Sequence, residues 1–441
     1  MKFASNPSLG ILGEPDSTTL WEKRLTRHNI KETDRILNVA GGHGTEVDIL
    51  AKLNSDHITK NIWFNELLFC FTNDIKARYP EINISKGDFV GMKFNINFDY
   101  VIGNPPYNKS IDCSHSKYVN SKSPKKIKNI GKYPHLVFLL ESLDLLKPGG
   151  YLEFVMPYPF MVTDELENFR KVLISKAKIL EIEILDGQSF EQANTTSCSI
   201  LLQKTSQPEN EQSVKVIRTY NNTEYVSTVD ITLDNNIIPL SFGDLGLSIF
   251  RKAMDKSIPR LLIDEKAGVK GLARDNTELG SNHSLTVTST HKFVFWDRYT
   301  ENNQRTKLFH VLKDKNHDNW KVGFANLYGP GQAQAFTTKP TATPFEYKLT
   351  GFVSIIGPGM GLADRYRQVA ISGNTLEEQR QDAENKKKWM TSKGFNFILA
   401  MFKVHTDNTP LNIGKMPLLT DITDLPLSKK ELKFLKDLKI I

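Results

Sequence analysis

The strongest candidate for chemistry is the run Asn104, Pro105, Pro106 and Tyr107. The residues before it, 98–102, are mostly apolar or aromatic, a composition that favours a buried strand. A proline cannot donate a hydrogen bond to a neighbouring strand, so two in succession predict that the strand ends at Asn104. The result is a rigid corner at the carboxyl end of a strand, and in an open α/β sheet that edge is where ligands bind.

This corner presents the groups that a planar amine, such as the exocyclic amine of adenine, needs in order to act as a nucleophile. The side-chain oxygen of Asn104 and the carbonyl oxygen of Pro105 can accept the hydrogens of the amine, which favours its developing positive charge. The ring of Tyr107 can stack on the face of a base. The alternative is a plain strand-ending turn, in which Asn and Pro are common, but the complete motif after an apolar strand favours function.

A second candidate site precedes the corner. Residues 35–39 favour a strand, residues 40–45 form a glycine-rich turn, and residues 47–53 have helical spacing. Gly42 and Gly44 allow a ligand to approach the backbone closely, and the start of the helix offers unpaired N–H groups. Strand, turn and helix in this order predict the first nucleotide-binding unit of a doubly wound sheet. A tight turn without a ligand is the alternative.

Two acidic positions follow in the same repeating pattern. Glu66 ends the second predicted strand and lies 22 residues after Gly44, close to the spacing at which an acid meets ribose hydroxyls. The third predicted strand, 82–85, leads to Asp88 and Phe89, an acid and an aromatic ring that could bind and stack on an adenine. Each carboxylate alone is typical of a solvated strand end, whereas the series favours a nucleoside ligand.

A basic segment, residues 109–132, adjoins the corner. It contains seven lysines and one acid, Asp112, with Ser, Asn, Gly and Pro between them, a composition that predicts a mobile loop. Such a loop could hold phosphates near the corner, and ordinary solvated surface is the alternative. The candidate DNA-binding residues are Lys109, Lys125, Lys126 and Lys128.

The rest of the first half completes a sheet. Helical spacing over 134–147 and over 164–176 alternates with predicted strands at 151–155, 179–185 and 198–203. The whole chain of 441 residues carries a net charge of +7 and is long enough for two domains. Three distant cysteines suit a reducing cytoplasm and show no zinc spacing. No apolar run reaches membrane-spanning length.

The order of these motifs resembles that of the S-adenosylmethionine-dependent DNA adenine-N6 methyltransferases of gamma-type motif order. The likeness covers roughly residues 15–204 and includes the Leu-Lys-Pro-Gly-Gly run at 146–150. It implies an α/β fold with a doubly wound, mostly parallel seven-stranded sheet and a second, C-terminal α+β domain. The same four-residue motif occurs in methyltransferases acting on guanine amines in RNA and on glutamine amides in proteins.

The resemblance also implies a role for each residue at a matching position. S-adenosyl-L-methionine would be the cofactor, and no metal is implied. Asn38 stands where the family usually has Asp or Glu, so the ammonium group of the cofactor would be bound without an opposite charge. The implied cofactor-binding residues are Asn38, Gly42, Gly44, Glu66, Asp88 and Phe89; the implied catalytic residues are Asn104, Pro105, Pro106 and Tyr107; Tyr107 and Phe190 would stack on the target base.

The expected organisation is a catalytic domain at 1–204, a linker at 205–220 and a target-recognition domain at 221–441. The last region offers aromatic and basic residues at 293–307, glycine-rich loops at 329–334 and 357–361, and a charged helix at 375–393. These features suit a target-recognition domain. With the resemblance, they imply a site-specific adenine methyltransferase acting on double-stranded DNA, in a restriction-modification system with a cognate endonuclease. Two alternatives are an RNA or protein methyltransferase and a DNA-binding module that has lost catalysis, the latter suggested by Asn38.

Overall fold

The structure is a computed structural model. It describes residues 18–54, 56–107, 111–185, 197–207, 209–220, 223–264, 268–269, 292–296, 308–310, 319–325, 353–356, 360–363, 366–401 and 414–441. The chain divides into two compact units, Met1–Pro239 and Leu240–Ile441.

The first unit alternates strands and helices, as its sequence periodicity predicts. Its helices are α1 (Thr18–Leu25), α2 (Thr45–Asn54), α3 (Phe69–Arg78), α4 (Pro134–Leu145) and α5 (Glu167–Lys176). Its strands are β1 (Ile36–Val39), β2 (Ile62–Glu66), β3 (Asn83–Lys86), β4 (Phe98–Gly103), β5 (Leu146–Pro157), β6 (Ala177–Leu185), β7 (Ser197–Lys204), β8 (Glu211–Tyr220) and β9 (Thr223–Thr232).

These nine strands form one sheet in the order β3-β2-β1-β4-β5-β7-β6-β8-β9. The strands from β3 to β5 pair in parallel, and β7 runs antiparallel to both β5 and β6. The predicted mixed α/β fold with a large, mostly parallel sheet is therefore confirmed. The sheet is larger than the seven strands expected, because β8 and β9 extend it beyond β6.

The extension corrects the predicted linker at 205–220. Residues 205–210 are polar, but Val214 and Val216 are fully buried and alternate with exposed residues along β8. That alternation is the period of a half-buried strand, so β8 pairs with β6 and the first compact unit continues to Pro239. The helix α3 between β2 and β3 was not predicted either.

Helix α1 is held on the sheet by a buried ion cluster around Arg24. The Arg24 side chain has no exposed surface, and its guanidinium contacts Glu153 and Glu181 at 3.2 Å each, and also Glu183. Arg27 and Lys215 add bonds to Glu181. Because these three carboxylates lie on β5 and β6, the cluster fixes one helix across two strands.

The ion cluster keeps the buried carboxyl of Glu153 ionised. Burial alone would raise the pKa of this carboxyl, but the hydrogen bond with His28 and the charge of Arg24 hold it below its usual value. Glu153 therefore stays ionised in the interior, where an ionised group needs a partner.

In its described residues, the second unit combines helices with two small sheets, which confirms the predicted α+β class. Its helices are α6 (Gly243–Ala253), α7 (Leu376–Met390), α8 (Lys393–Ala400) and α9 (Lys429–Asp437). One sheet has the order β10-β17-β14-β15, with β10 (Ile263–Asp264), β14 (Lys321–Ala325), β15 (Val353–Ile356) and β17 (Tyr366–Val369). The other has the order β11-β16-β12-β13, with β11 (Gly268–Val269), β12 (Lys292–Trp296), β13 (Leu308–His310) and β16 (Met360–Ala363).

The charged helix predicted at 375–393 is confirmed as α7. Thr375 caps it by accepting from the backbone of Glu378, whose side chain bonds back to Thr375, a capping box. Its last turn is not solvated as expected, because Trp389 and Met390 are fully buried.

Only parts of the predicted recognition features can be placed. Residues 293–296 lie in β12, whereas residues 297–307 and the loop at 329–334 lie outside the described residues. In the described part of the chain, no helix combines the length and the apolar character that crossing a membrane requires.

Replacing Arg24 with Met is expected to destabilise the protein strongly. Removing one partner of a buried ion cluster leaves uncompensated charge and typically costs about 3–5 kcal/mol. The control is Lys52→Met, which removes an exposed ion pair with Glu22 of a kind worth about 1 kcal/mol or less. Urea unfolding of both variants measures the difference, and equal losses would contradict the structural role of Arg24.

Candidate active site

The corner after β4 is built on a close approach of two strands. Gly103 has a φ of +156°, and a Cβ at that position would lie 2.2 Å from the carbonyl oxygen of Val39 on β1. No larger residue fits there without moving the backbone. The chain leaves the sheet at Asn104, as predicted, with Pro105 buried and the Asn104 and Tyr107 side chains half-buried.

The structure brings the first and last residues of the motif together. The Tyr107 hydroxyl donates to the side-chain oxygen of Asn104, and the carbonyl oxygen of Val155 on β5 lies 3.1 Å from the same hydroxyl. The Asn104 oxygen, which was predicted to accept from an amine, therefore already accepts a hydrogen bond from Tyr107 of the same motif.

His135 is a residue of this corner that the sequence did not single out. Its ring lies 5.8 Å from the Tyr107 ring at 86°, an edge-to-face arrangement, and 6.2 Å from Tyr133. Burial lowers the pKa of His135 to about 3, so the imidazole is neutral, and its Nδ1 has no hydrogen-bond partner among the described residues. The sequence shows it only as the second residue of a predicted helix, which gives no sign of contact with Tyr107.

The glycine-rich turn and Glu66 also meet. The two carboxylate oxygens of Glu66 accept from the backbone N–H groups of Gly42, at 3.0 Å, and Leu68, at 2.9 Å. Gly42 and Gly44 have positive φ values of 50° and 78°. Side chains rarely adopt the positive φ of Gly44, and a Cβ there would also crowd the end of the Ile75 side chain of α3, so the turn favours glycine. Glu66 therefore lies beside the glycine-rich turn, and its binding of ribose hydroxyls stays a prediction.

Asn38 lies on β1, two residues before the glycine-rich turn. Its side chain is fully buried, its amide nitrogen lies 3.5 Å from the carbonyl oxygen of Ile102, and its side-chain oxygen has no hydrogen-bond partner among the described residues. A Cβ on Gly41 would lie 2.5 Å from that oxygen and 2.2 Å from the Phe64 ring. The side-chain oxygen of Asn38 is thus an unpaired acceptor, and only glycine at position 41 leaves space beside it. A ligand with a hydrogen-bond donor fits this arrangement.

Asp88 and Phe89 follow β3 as predicted, but Phe89 has a partner within the protein. The Asp88 carboxylate accepts from the backbone N–H of Val90 at 3.0 Å and closes a tight turn. The Phe89 ring is only 3% exposed and packs on Phe138 of α4 at 5.1 Å. Its contact with a cofactor adenine stays a prediction.

The described part of the basic segment, residues 111–132, is hydrogen-bonded to α4. The Ser116 hydroxyl donates to Glu141 at 2.5 Å, and the Tyr118 hydroxyl donates to Asp144 at 2.6 Å. The backbone N–H of Ile127 donates to the carbonyl of Tyr118 at 2.9 Å. The segment has irregular backbone, as predicted, because its turns and not a helix satisfy its polar groups.

The hydrogen bond between Tyr118 and Asp144 lies away from the corner. Asp144 follows His135 by nine residues in α4, which corresponds to about 14 Å along a helix. Lys125, Lys126 and Lys128 are exposed. Lys109 and Phe190, also predicted as site residues, lie outside the described residues. Over the described ranges, no three His, Cys, Asp or Glu side chains are grouped so as to hold a metal ion.

Comparison with known proteins finds relatives for a part of the first unit. Residues 22–190 match the family model described as Eco57I restriction-modification methylase. This segment is therefore similar to restriction-modification methylases. The resemblance stated from the motifs is therefore confirmed at the level of the family, while the gamma-type order of the motifs stays a prediction.

Relatives of this chain include proteins from a bacterium and a virus. The type II restriction enzyme and methyltransferase RM.Eco57I of Escherichia coli is 31% identical over 123 residues, 25% of this chain and 11% of that protein. The modification methylase CviBIII of Paramecium bursaria Chlorella virus NC1A is 33% identical over 129 residues, 28% of this chain and 32% of that protein. The chain thus spans a third or less of the length of these curated relatives.

Among solved structures, the type IIG restriction endonuclease BpuSI aligns with 100% of this chain and 61% of its own, at 12% identity and a TM-score of 0.45. The type I restriction enzyme EcoKI M protein aligns with 54% of this chain and 53% of its own, at 14% identity and a TM-score of 0.38.

Replacing His135 with Phe is expected to protect the first unit against acid. The folded-state pKa of about 3 lies below the usual 6.5, so below pH 6.5 the unfolded chain binds a proton that the folded chain does not. The parental protein then loses up to about 1.4 kcal/mol of unfolding free energy per pH unit relative to the variant. Thermal unfolding from pH 7.5 to pH 4.5 measures this gap.

The same substitution at the exposed His115 is the control for a general effect of losing a histidine. The contrary result is that the unfolding free energies of the parental protein and of His135→Phe differ by the same amount at every pH. That result would show that His135 takes up a proton as readily in the folded chain as in the unfolded chain.

Proposed function

We propose that this chain is a site-specific DNA methyltransferase that transfers a methyl group from S-adenosyl-L-methionine to the N6 amine of an adenine flipped out of the duplex. One observation carries the proposal. Asn104 leaves the sheet beside the glycine-rich turn and Glu66, because β4 and β2 both pair with β1 in parallel. An amine acceptor and a nucleoside-binding acid thus share one edge of a domain matched to the methylase family.

The cofactor side of the site is formed by the ends of β1, β2 and β3. When bound, S-adenosyl-L-methionine supplies a methyl group on a positively charged sulfur. The glycine-rich turn lets it approach the backbone, Glu66 binds the ribose hydroxyls, and the unpaired oxygen of Asn38 accepts from a donor group. Asp88 binds the adenine, with Phe89 at its side.

The target side of the site is the corner after β4. The Asn104 side-chain oxygen and the Pro105 carbonyl accept the two hydrogens of the amine and stabilise the positive charge that develops as it attacks. The ring of Tyr107 stacks on the base, with Phe190 on the opposite face. Flipping costs a few kcal/mol of lost pairing and stacking, which these contacts and phosphate contacts offset.

The basic segment favours nucleic acid as the substrate class. Lys125, Lys126 and Lys128 are exposed, so they would be free to contact phosphates of the nucleic-acid backbone. The restriction-modification relatives favour duplex DNA and a cognate endonuclease as the partner.

Two variants test the proposed site against each other. Asn104→Ala is expected to lower methyl transfer about 10²–10³-fold, as the loss of one stabilising acceptor does, while cofactor binding stays near the parental value. Glu66→Ala is expected to weaken cofactor binding more than DNA binding. Transfer of labelled methyl groups to DNA, RNA and protein, with calorimetry of cofactor binding, measures both effects and identifies the substrate.

Near-normal turnover of Asn104→Ala would remove this residue from the reaction. Labelling of RNA or protein but not DNA would replace the proposed substrate.

Replacing Lys125, Lys126 and Lys128 together with Ala is expected to weaken DNA binding whatever the sequence, because phosphate contacts carry no base information. Each lost contact should reduce the slope of log affinity against log salt by about 0.9 on duplex DNA. The matched control replaces Lys429, Lys430 and Lys433, three exposed lysines of the second unit, and so makes the same change in net charge. Equal flattening by both triple variants would assign the basic segment to ordinary solvated surface.

A further inference from the structure

The hydroxyl of Tyr107 lies between two oxygen acceptors, the side chain of Asn104 and the carbonyl of Val155. We propose that this hydroxyl is a positioning group: it holds the Asn104 oxygen in place before the target amine binds, and it turns to the Val155 carbonyl when the amine arrives. The inference rests on the proposed function and gives Tyr107 a second role besides stacking.

The number of protons and lone pairs makes this exchange possible. A phenol has one proton to donate, and here it has two acceptors, one of them the Val155 oxygen at 3.1 Å. Turning the O–H bond from Asn104 to Val155 therefore leaves the hydroxyl paired. It also removes a donor that competes with the amine for the Asn104 oxygen, which makes that oxygen a stronger acceptor as positive charge develops.

Before the amine binds, the same hydrogen bond selects the orientation of the amide. The last side-chain torsion of an asparagine is broad and roughly two-fold, so a free amide presents its NH₂ group as readily as its oxygen. If the NH₂ group of Asn104 faced the target amine, two hydrogen-bond donors would point at each other. Donation from Tyr107 reaches only the oxygen of Asn104 and so fixes which end of the amide serves as the acceptor.

The rest of the corner keeps the hydroxyl within reach of both acceptors. Pro105 and Pro106 connect Asn104 to Tyr107 and each fixes its own φ near −65°. The neutral ring of His135 packs edge-to-face with the Tyr107 ring, at 86° and 5.8 Å. The Val155 carbonyl belongs to β5, which pairs with β4 on one side and with β7 on the other. The geometry of the exchange is thus set by a strand, two prolines and a buried ring.

The test is Tyr107→Phe, which keeps the ring and removes the donor. On unmethylated duplex DNA we expect kcat to fall about two- to tenfold, the effect of one neutral hydrogen bond, with KM for DNA and cofactor affinity near parental. Tyr107→Ala, which also removes the stacking ring, should raise KM for DNA as well. The control is Tyr158→Phe, which removes a hydroxyl that donates to the carbonyl of Ile238 at 2.6 Å and has no place in the site.

A second measurement does not depend on catalysis. In protein labelled with ¹⁵N-asparagine, the side-chain amide signal of Asn104 is identified by its absence from Asn104→Ala. This signal should shift in Tyr107→Phe and stay in place in Tyr158→Phe. An unshifted signal in Tyr107→Phe overturns the proposal, and so does an unchanged kcat or a loss confined to KM for DNA. If the parental protein methylates no DNA, the proposed function fails, and the amide signal still decides the role of the hydroxyl.

Discussion

The site depends on the contact between β1 and β4, where Val39 and Gly103 are register partners. A Cβ at position 103 would lie 2.2 Å from the Val39 carbonyl oxygen, so the two strands reach this separation only because residue 103 is glycine. The glycine-rich turn begins one residue after Val39, and the four-residue motif begins one residue after Gly103. One backbone contact therefore places both halves of the candidate site side by side, before any side chain is considered.

Other parts of the first unit stabilise this edge from different directions. Glu66 bonds to the backbone of Gly42 and so ties the end of β2 to the turn after β1. Helix α4 carries His135 against Tyr107 at one end and Asp144 against Tyr118 nine residues later. The ion cluster of Arg24 fixes α1 on β5 and β6. Each device joins elements that are far apart in the sequence, which limits how independently any one of them can move.

Local patterns predicted the strands β1 to β7 and most helices of the first unit, but not α3, β8 or β9. Asn104 was placed at a strand end because two prolines follow it, and Glu66 was placed at the end of the second strand by its spacing from Gly44. The features missed depend on contacts between distant residues. The linker prediction followed the polar residues at 205–210, but the alternation that buries Val214 and Val216 gains its meaning only from pairing with β6. Likewise, His135 is distinguished from an ordinary helix residue only by its ring contact with Tyr107. The basic segment bonds to carboxylates of α4, and no local sequence pattern connects these carboxylates to the segment.

The hairpin of β8 and β9 also decides what the sheet presents to other molecules. In the described part of the chain, β9 ends the sheet order, and the edge strand of a sheet is a template on which another chain can add a strand. Glu224 and Asp230 lie exposed along β9, while Ser227 and Val229 face inward. Charged side chains along an edge strand discourage such pairing. Without this hairpin the described sheet would end at β6, a strand whose Ile182 and Ile184 are buried; with it, the sheet ends at a strand that carries two exposed carboxylates.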